Sequence, residues 1–119
     1  MIEGSAIAPE IVEQVRARAE GAGRVMLCLD SNHTHDHVLA ELEAYADLVT
    51  PGCYCIVFDT VVEDLPAEMV DDRPWGPGDN PKTAVHQWLP GNPNFEIDKS
   101  MDAKLLVSVA PNGYLRRKS

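Results

Sequence analysis

The sequence predicts an open α/β sheet with parallel strands and with helices covering both of its faces. Two apolar runs, at 25–30 and 54–60, have the length and composition of buried strands. A stretch with helical spacing of apolar residues joins them, so the three segments form a βαβ unit, whose crossover is almost always right-handed. The runs carry the aspartates Asp30 and Asp59 at their carboxyl ends. The expected architecture is a three-layer sandwich in a single domain of 119 residues.

The first two helices are predicted from their caps and from the spacing of their apolar residues. One helix begins at Pro9, a residue favoured in the first turn, and Gly21 is suited to end it. Asn32 or Thr34 is expected to cap the second helix, whose apolar stripe continues to Val49. The second helix therefore forms the connection between the two predicted strands.

The remaining elements follow in the second half of the chain. Asn80 and Pro81 supply the cap and the first turn of a third helix. Residues 95–99 and 104–109 are predicted to be strands. We expect these two strands to form an antiparallel pair that closes the edge of the sheet.

A long loop precedes the third helix. Residues 63–80 are acidic and rich in proline and glycine, and loops of this length are typically functional lids or disordered segments. Within the loop, Trp75 has two interpretations. It either closes over a substrate or anchors the loop to the rest of the domain.

Charge and composition narrow the class of protein. A net charge of −9 argues against a nucleic-acid partner, because phosphates would be repelled. The basic cluster at 116–118 is expected to be a solvated tail. The three cysteines lack the spacing of a disulfide framework, and Cys28 and Cys55 are expected to be small core residues. No apolar run is long enough to span a membrane, so we expect a soluble cytoplasmic protein.

The pair of aspartates is the strongest functional signal. Parallel strands present their carboxyl ends at one edge of a sheet, and ligands bind at that edge. Asp30 and Asp59 therefore predict a magnesium site, since Mg²⁺ prefers oxygen ligands, or a site for one basic group. The alternative is that both aspartates cap the turns that follow their strands.

A cluster of histidines follows the first strand. His33, His35 and His37 lie around Asp36, and imidazole together with carboxylate suits a transition metal. If the helix starts early, His33 and His37 share one of its faces. The alternative is a polar helix start with exposed histidines. His33 is the best candidate for a general base or a substrate contact, because it follows Asp30 closely.

Four segments of the chain carry a family resemblance. They are VMLCLDSNH at 25–33, VLAEL at 38–42, YCIVFDT at 54–60 and PNGYLRR at 111–117. In their order and spacing they resemble the cephalosporin hydroxylase family, which also contains rhamnosyl O-methyltransferases. The resemblance implies a Rossmann-like methyltransferase sheet, methyl transfer to a small-molecule hydroxyl, S-adenosylmethionine as cofactor and a divalent metal, usually Mg²⁺.

The resemblance also implies site residues. Asp30 matches a metal-binding aspartate at the end of the first strand, and Asp59 matches the second member of an acidic pair. The first member of that pair is often glutamate, whereas this chain has Phe58, which cannot ligate a metal. The implied magnesium site is therefore Asp30 and Asp59, completed by water, Asn32 or His33.

The chain departs from the family pattern at its N-terminus. A methyltransferase domain of this type begins with a strand and a glycine-rich turn that holds the cofactor, whereas residues 2–5 resemble the third strand and the loop after it. We therefore expect residues 1–119 to be the C-terminal half of the domain, with unknown cofactor-binding residues. Because the edge of the first strand would be uncovered, we expect the chain to form a homo-oligomer or to need the missing half.

Three functions remain open at the level of sequence. The first is a metal-assisted O-methyltransferase with a small-molecule substrate, present here in part. The second is a non-catalytic remnant that acts as a subunit or interaction module. The third is an independent metal-dependent enzyme that uses Asp30, His33 and Asp59 without S-adenosylmethionine.

Overall fold

The structure, a computed structural model, describes residues 1–119 as four strands and four α-helices. In chain order these are α1 (Pro9–Ala19), β1 (Leu27–Leu29), α2 (His35–Tyr45), β2 (Tyr54–Val57), α3 (Pro81–Trp88), β3 (Phe95–Ile97), α4 (Lys99–Leu105) and β4 (Tyr114–Arg117). The strands form one mixed sheet in the order β1-β2-β4-β3, which confirms the α/β class. None of the helices has the length and apolarity needed to cross a membrane.

The predicted strand-helix-strand unit is present. β1 pairs in parallel with β2, and Leu29 lies opposite Val57. Both strands are shorter than the apolar runs that predicted them. β2 ends before Asp59, which adopts a left-handed backbone conformation with a φ of 57°. Before β1, the backbone of Val25 donates a hydrogen bond of 3.0 Å to the hydroxyl of Thr50.

The helix starts predicted from proline are confirmed. α1 and α3 each carry a proline in the first turn. Asn80 caps α3 by accepting hydrogen bonds from the backbones of Lys82 and Thr83, at 2.9 and 3.2 Å. The α-helical part of α2 ends at Tyr45 rather than at Val49, and a short 3₁₀ turn continues it.

The predicted strand at 104–109 is wrong, because α4 occupies the start of that segment. Asp98 caps α4 by accepting hydrogen bonds from the backbone and the hydroxyl of Ser100, at 3.0 and 2.6 Å. After the helix, Leu106 has a φ of 62°, which a strand residue does not adopt. An antiparallel C-terminal pair exists nevertheless, and it consists of β3 and β4.

The basic residues expected to form a solvated tail lie largely within the sheet. Arg116 and Arg117 belong to β4, which is placed between β2 and β3. The guanidinium of Arg117 donates hydrogen bonds of 2.8 and 2.5 Å to the backbone carbonyls of Asp47 and Val49. These bonds fasten β4 to the turn that follows α2.

The hydrophobic core lies on the face of the sheet that packs against α2 and α3. Its members are Leu29, Val38, Leu42, Ala46, Val49, Cys55, Val57, Ala84, Val85, Trp88, Phe95 and Leu115. Buried and less buried residues alternate along β2 and β4, as expected when one sheet face meets the core.

The opposite face of the sheet is open, so the predicted three-layer sandwich is wrong for this chain. Cys28 and Ile56, which pair in register on that face, are exposed and half-buried respectively. Glu96 and Arg116 pair there as well, and both are exposed. The physical reason is that α2 packs against both α1 and α3, so that the three helices lie on the same face of the sheet. Cys28 is therefore not the core residue that its apolar neighbours suggested.

β1 forms one edge of the sheet, since its only partner is β2. A cavity of about 300 Å³ runs beside it, with Ile11, Leu27 and Tyr45 in its wall. Met26, directly before the strand, is 60% exposed. Such an apolar and uncovered edge favours association with another polypeptide.

We predict that Gly113→Ala destabilises the fold, because a side chain at this position has no room. The Gly113 carbonyl accepts a hydrogen bond of 2.8 Å from the backbone of Val57, and a Cβ on Gly113 would overlap the Val57 carbonyl oxygen. Forcing these strands apart should lower the free energy of unfolding by about 1–3 kcal/mol. Gly91→Ala is the matched control, since a Cβ there meets nothing within 4 Å. Urea unfolding measures both variants, and equal stability of the two would contradict the close approach of β4 to β2.

Candidate functional site

Asp30, His33 and Asp59 converge at the carboxyl edge of β1 and β2. Nε2 of His33 contacts Oδ2 of Asp59 and lies 3.7 Å from Oδ1 of Asp30. One possible ligand atom from each residue lies within 4.8 Å of the other two. The His33 side chain is 21% exposed and that of Asp30 is 61% exposed, so the site is open to solvent on the Asp30 side. The structure thus places one imidazole beside two carboxylates.

The register of the parallel strands explains this convergence. Because Leu29 lies opposite Val57, Asp30 and Phe58 follow at the same level of the sheet. The backbone of Phe58 donates to the Leu29 carbonyl at 3.1 Å, which continues the pairing by one residue. Asp59 then leaves the strand through its left-handed conformation, which aspartate adopts more readily than most residues. Phe58 contributes no ligand atom to the cluster.

A short turn after β1 carries His33. Oδ1 of Asn32 accepts hydrogen bonds from the backbone and the hydroxyl of Thr34, both at 2.9 Å, and these bonds close the turn. α2 begins only at His35, so His33 lies outside the helix. The expectation that His33 and His37 share a helix face is therefore wrong.

The other two histidines of this segment have different partners. Nδ1 of His35 lies 2.7 Å from the Thr83 hydroxyl and its Nε2 lies 2.8 Å from Oε1 of Gln87, so this ring links α2 to α3. Nε2 of His37 lies 3.3 Å from the hydroxyl of Ser31. The three neighbouring histidines do not converge, and the histidine cluster suggested by their spacing is absent.

A cavity of about 310 Å³ opens beside His33 and Asp59. The indole of Trp75 packs obliquely on the imidazole, with the ring centroids 4.7 Å apart and an interplanar angle of 41°. The guanidinium carbon of Arg73 lies 5.7 Å from the centroid of the Trp75 ring. The rest of the wall is apolar and consists of Val62, Leu65, Met69 and Val70. An apolar pocket with a few polar groups at one end is typical of a small-molecule site.

Asn80 holds the 63–80 segment in place in addition to capping α3. This residue is fully buried, and its Nδ2 donates to the carboxylate of Glu63 and, at 2.9 Å, to the carbonyl of Gly76. Glu63 also accepts a hydrogen bond of 3.0 Å from the backbone of Gly78. These hydrogen bonds, that of Asn80 first, lower the pKa of Glu63. The wall of the cavity is thereby fastened to the first turn of α3.

Glu41 is a buried carboxylate that the sequence analysis does not single out. Its side chain is 3% exposed, accepts a hydrogen bond of 2.5 Å from Ser31 and lies 3.4 Å from Nε2 of His37. The helical spacing of Glu41 from Val38 and Tyr45, which places all three on the buried face of α2, is the sequence feature that indicates its burial. Burial first, and then the negative charge of Glu41, raise the pKa of Tyr45.

The donor set fits a divalent metal ion. Asp30 and Asp59 offer carboxylate oxygens and His33 offers an imidazole nitrogen, all at one point of the sheet edge. The possible ligand atoms of the three residues all lie within 4.8 Å of one another. Asn32 is not available as a ligand in this arrangement, because its amide oxygen already accepts two hydrogen bonds.

S-adenosylmethionine, which the resemblance implies, has no corresponding turn in residues 1–119. β1 continues into residues 30–33 and β2 into residues 58–60, and neither segment contains glycine. Glycines after a strand are what allow the backbone to approach a nucleotide closely. The described residues therefore do not fit the expected cofactor-binding turn.

Comparisons with known proteins point to a single family. The sequence model described as Rhamnosyl O-methyltransferase/CmcI matches residues 1–118. Proteins named Rhamnosyl O-methyltransferase from Mycobacterium tuberculosis (strain ATCC 25618 / H37Rv) and Mycobacterium bovis (strain ATCC BAA-935 / AF2122/97) are each 33% identical over 118 residues, which is 98% of this chain and 46% of theirs. The protein of that name from Mycobacterium leprae (strain TN) is 35% identical over 121 residues, covering 98% of this chain and 49% of its own length. The chain spans about half the length of the curated relatives it matches. No solved structure matches it.

We predict that Glu63 makes the stability of the fold sensitive to acid. Since the pKa of Glu63 is lowered in the folded state, its stabilising contribution is complete above the unfolded pKa of about 4.3 and is lost as the pH falls through the folded pKa. In Glu63→Gln, the free energy of unfolding should therefore fall less steeply over this acid range than in the wild type. Glu68→Gln, at an exposed position of the same segment, should retain the wild-type slope. Denaturant unfolding at a series of pH values measures these slopes, and an unchanged slope in Glu63→Gln would refute the prediction.

Proposed function

The chain belongs to the rhamnosyl O-methyltransferase/CmcI family, and from this premise we propose that it carries the acceptor site for methyl transfer to a hydroxyl of a rhamnosyl-containing small molecule. The observation that carries the proposal is the convergence of Asp30, His33 and Asp59 beside an apolar cavity. We propose a rhamnosyl acceptor because the relatives are named Rhamnosyl O-methyltransferase. Family membership implies S-adenosylmethionine as the methyl donor, although its binding residues are not assigned within this chain.

Asp30 and Asp59 are the proposed ligands of a divalent cation, for which the family expectation is Mg²⁺. When bound, such a cation orients the acceptor hydroxyl and makes it more acidic. The exposure of the two carboxylates is unequal, at 61% for Asp30 and 31% for Asp59. Asp59 also lines the cavity beside His33, so the acceptor would approach the cation from the Asp59 side.

His33 is the proposed catalytic residue of this site. Its imidazole is able to serve the acceptor hydroxyl as a general base or substrate contact, or to serve the cation as a third ligand. In every role it touches the reacting groups, because the ring is held between the carboxylates and Trp75. Loss of the imidazole should impair transfer in each case.

The cavity beside His33 is the proposed acceptor pocket. Rhamnose carries a methyl group in place of a primary hydroxyl, so one part of the sugar is apolar. Trp75 offers a flat aromatic surface for the sugar, and side chains such as Val62 and Met69 offer contacts for its apolar part. The hydroxyl to be methylated would then lie at the polar end of the pocket.

A second candidate function is a non-catalytic subunit or interaction module. It is favoured by the uncovered edge of β1 and by Met26, Leu106 and Val107, which are 60%, 86% and 90% exposed. An uncovered apolar strand edge is a surface to which another protein is able to pair. This candidate differs from the first in requiring neither a cation nor an acceptor.

We predict that the acceptor site binds a divalent cation and, with it, a rhamnoside. In calorimetric titrations, Asp30→Ala should lower the affinity for Mg²⁺ by at least about tenfold, because the variant lacks a ligand. Asp71→Ala removes an exposed aspartate of the 63–80 segment and should bind as the wild type does. Methyl α-L-rhamnoside should bind more tightly in the presence of the cation, and Asp30→Ala should abolish this dependence on the cation.

The same measurements are able to refute the proposed function. If wild-type protein binds neither Mg²⁺ nor a transition-metal dication and shows no cation-dependent binding of the rhamnoside, the acceptor site is excluded. If Asp30→Ala and wild type bind the rhamnoside equally well in the presence of the cation, the cation has no role in holding the acceptor.

We predict that the chain associates through the edge of β1. Light scattering should give a mass above the 13.1 kDa of a single chain. Met26→Lys should reduce this mass, because a charged side chain at a strand edge opposes pairing. Met69→Lys changes a methionine of similar exposure away from β1 and is the matched control. A monodisperse monomer of the wild type would contradict the prediction.

A further inference from the structure

The proposed cation site contains a nitrogen ligand that lies close to both carboxylates. Nε2 of His33 contacts Asp59 and is 3.7 Å from Asp30, so the same atom faces both acidic groups. A cation that binds the two aspartates would therefore meet Nε2 as its next neighbour. Phe58 adds no further oxygen at this position, although it lies directly beside Asp59 in the sequence.

Magnesium is poorly matched to this donor set. Mg²⁺ requires near-octahedral oxygen coordination and usually keeps several water ligands. Imidazole nitrogen suits zinc, iron, copper and nickel instead, whereas carboxylates accept both groups of ions. A site with two carboxylates and one imidazole has the mixed donors of a transition-metal centre.

Packing against Trp75 and the hydrogen-bonded turn that carries His33 hold its imidazole in position. Trp75 packs on the ring at a centroid distance of 4.7 Å, and the His33 side chain is 21% exposed. The preceding residue, Asn32, closes the turn through its two hydrogen bonds to Thr34. To exclude His33 from the coordination sphere, a cation would have to displace a packed ring rather than a solvated one.

We propose that His33 is a metal ligand through Nε2, and that the Asp30–His33–Asp59 site therefore selects a first-row transition-metal dication over Mg²⁺. This inference rests on the cation role of the two aspartates in the proposed function, and it assigns His33 to the cation rather than to the acceptor proton. The two carboxylates balance the charge of a dication. Coordination positions not occupied by the three side chains remain for water or for the acceptor hydroxyl.

The test compares two cations in two variants of the full chain. Most sites bind transition metals more tightly than Mg²⁺, so the decisive quantity is the dependence of each affinity on His33. In calorimetric titrations, His33→Ala should weaken Co²⁺ binding by at least about tenfold, the loss expected when a ligand is removed, and should leave Mg²⁺ binding nearly unchanged. His86→Ala is the matched control, because His86 is an exposed histidine on α3.

A spectroscopic readout identifies the ligand atom. With Cu²⁺ bound, pulsed electron paramagnetic resonance should detect coupling to an imidazole nitrogen in wild type and in His86→Ala, and no such coupling in His33→Ala. Titrations are repeated in a Cys28→Ser/Cys53→Ser background, because thiolates also bind Co²⁺. Retained Mg²⁺ binding by His33→Ala shows that this variant is folded.

The outcomes separate this inference from the proposed function. If His33→Ala lowers the affinities for Co²⁺ and Mg²⁺ equally, or lowers neither, His33 does not select the cation. If nitrogen coupling is absent in the wild type while Asp30→Ala abolishes cation binding, the aspartates hold the cation and the role of His33 as a ligand is wrong. If nitrogen coupling is present but the rhamnoside shows no cation-dependent binding, the ligand assignment holds and the proposed acceptor site fails.

Discussion

The parallel pairing of β1 with β2 is the constraint on which the site depends. With Leu29 opposite Val57, the residues after the two strands emerge at one level, and Asp30 and Asp59 approach the same imidazole. A slip of one residue would reverse the sheet faces of every side chain in the strand and separate the carboxylates. The register is secured from the other side of β2 by β4, which approaches closely because Gly113 has no side chain.

Burial on one face of the sheet gives the molecule two different surfaces. The core under α2 and α3 supports the strands whose ends carry the site. On the other face, Cys28 and Ile56 lack a covering helix, and β1 has a free edge. The site therefore lies at an end of the sheet, whereas the surfaces suited to a protein partner lie on its open face and along its side.

The cavity wall is built from a segment that has little regular structure. Residues 63–80 keep their path because the buried amide of Asn80 satisfies groups of Glu63, Gly76 and the first turn of α3. A buried amide with unsatisfied groups would be costly, so these bonds leave the segment few alternative paths. The packing of Trp75 on His33 then joins the wall to the proposed ligands. Asn80 and Trp75 thus hold the long loop in place as a wall of the pocket.

Local chemistry predicted much of this fold. The prolines at the starts of α1 and α3, the cap at Asn80 and the apolar runs of β1 and β2 depend on residues close in sequence. The prolines and the cap were found as predicted, and the strands cover Leu27–Leu29 of 25–30 and Tyr54–Val57 of 54–60. The placement of Asp30 and Asp59 at one edge also followed, because parallel strands end together. The cap at Asp98 and the positive φ of Leu106 were not anticipated, so the C-terminal strand was assigned to the wrong segment.

Tertiary structure alone decided which histidine joins the aspartates, which sheet face is buried and which residues organise the long loop. His33, His35 and His37 look alike in sequence, yet their partners lie just after β2, on α3 and on α2, and the first two partners are distant along the chain. Burial and pairing depend on such distant contacts, which the pattern of neighbouring residues does not specify. The sequence therefore determined the strands and their terminal carboxylates, and the packing of the elements determined the site that the carboxylates form.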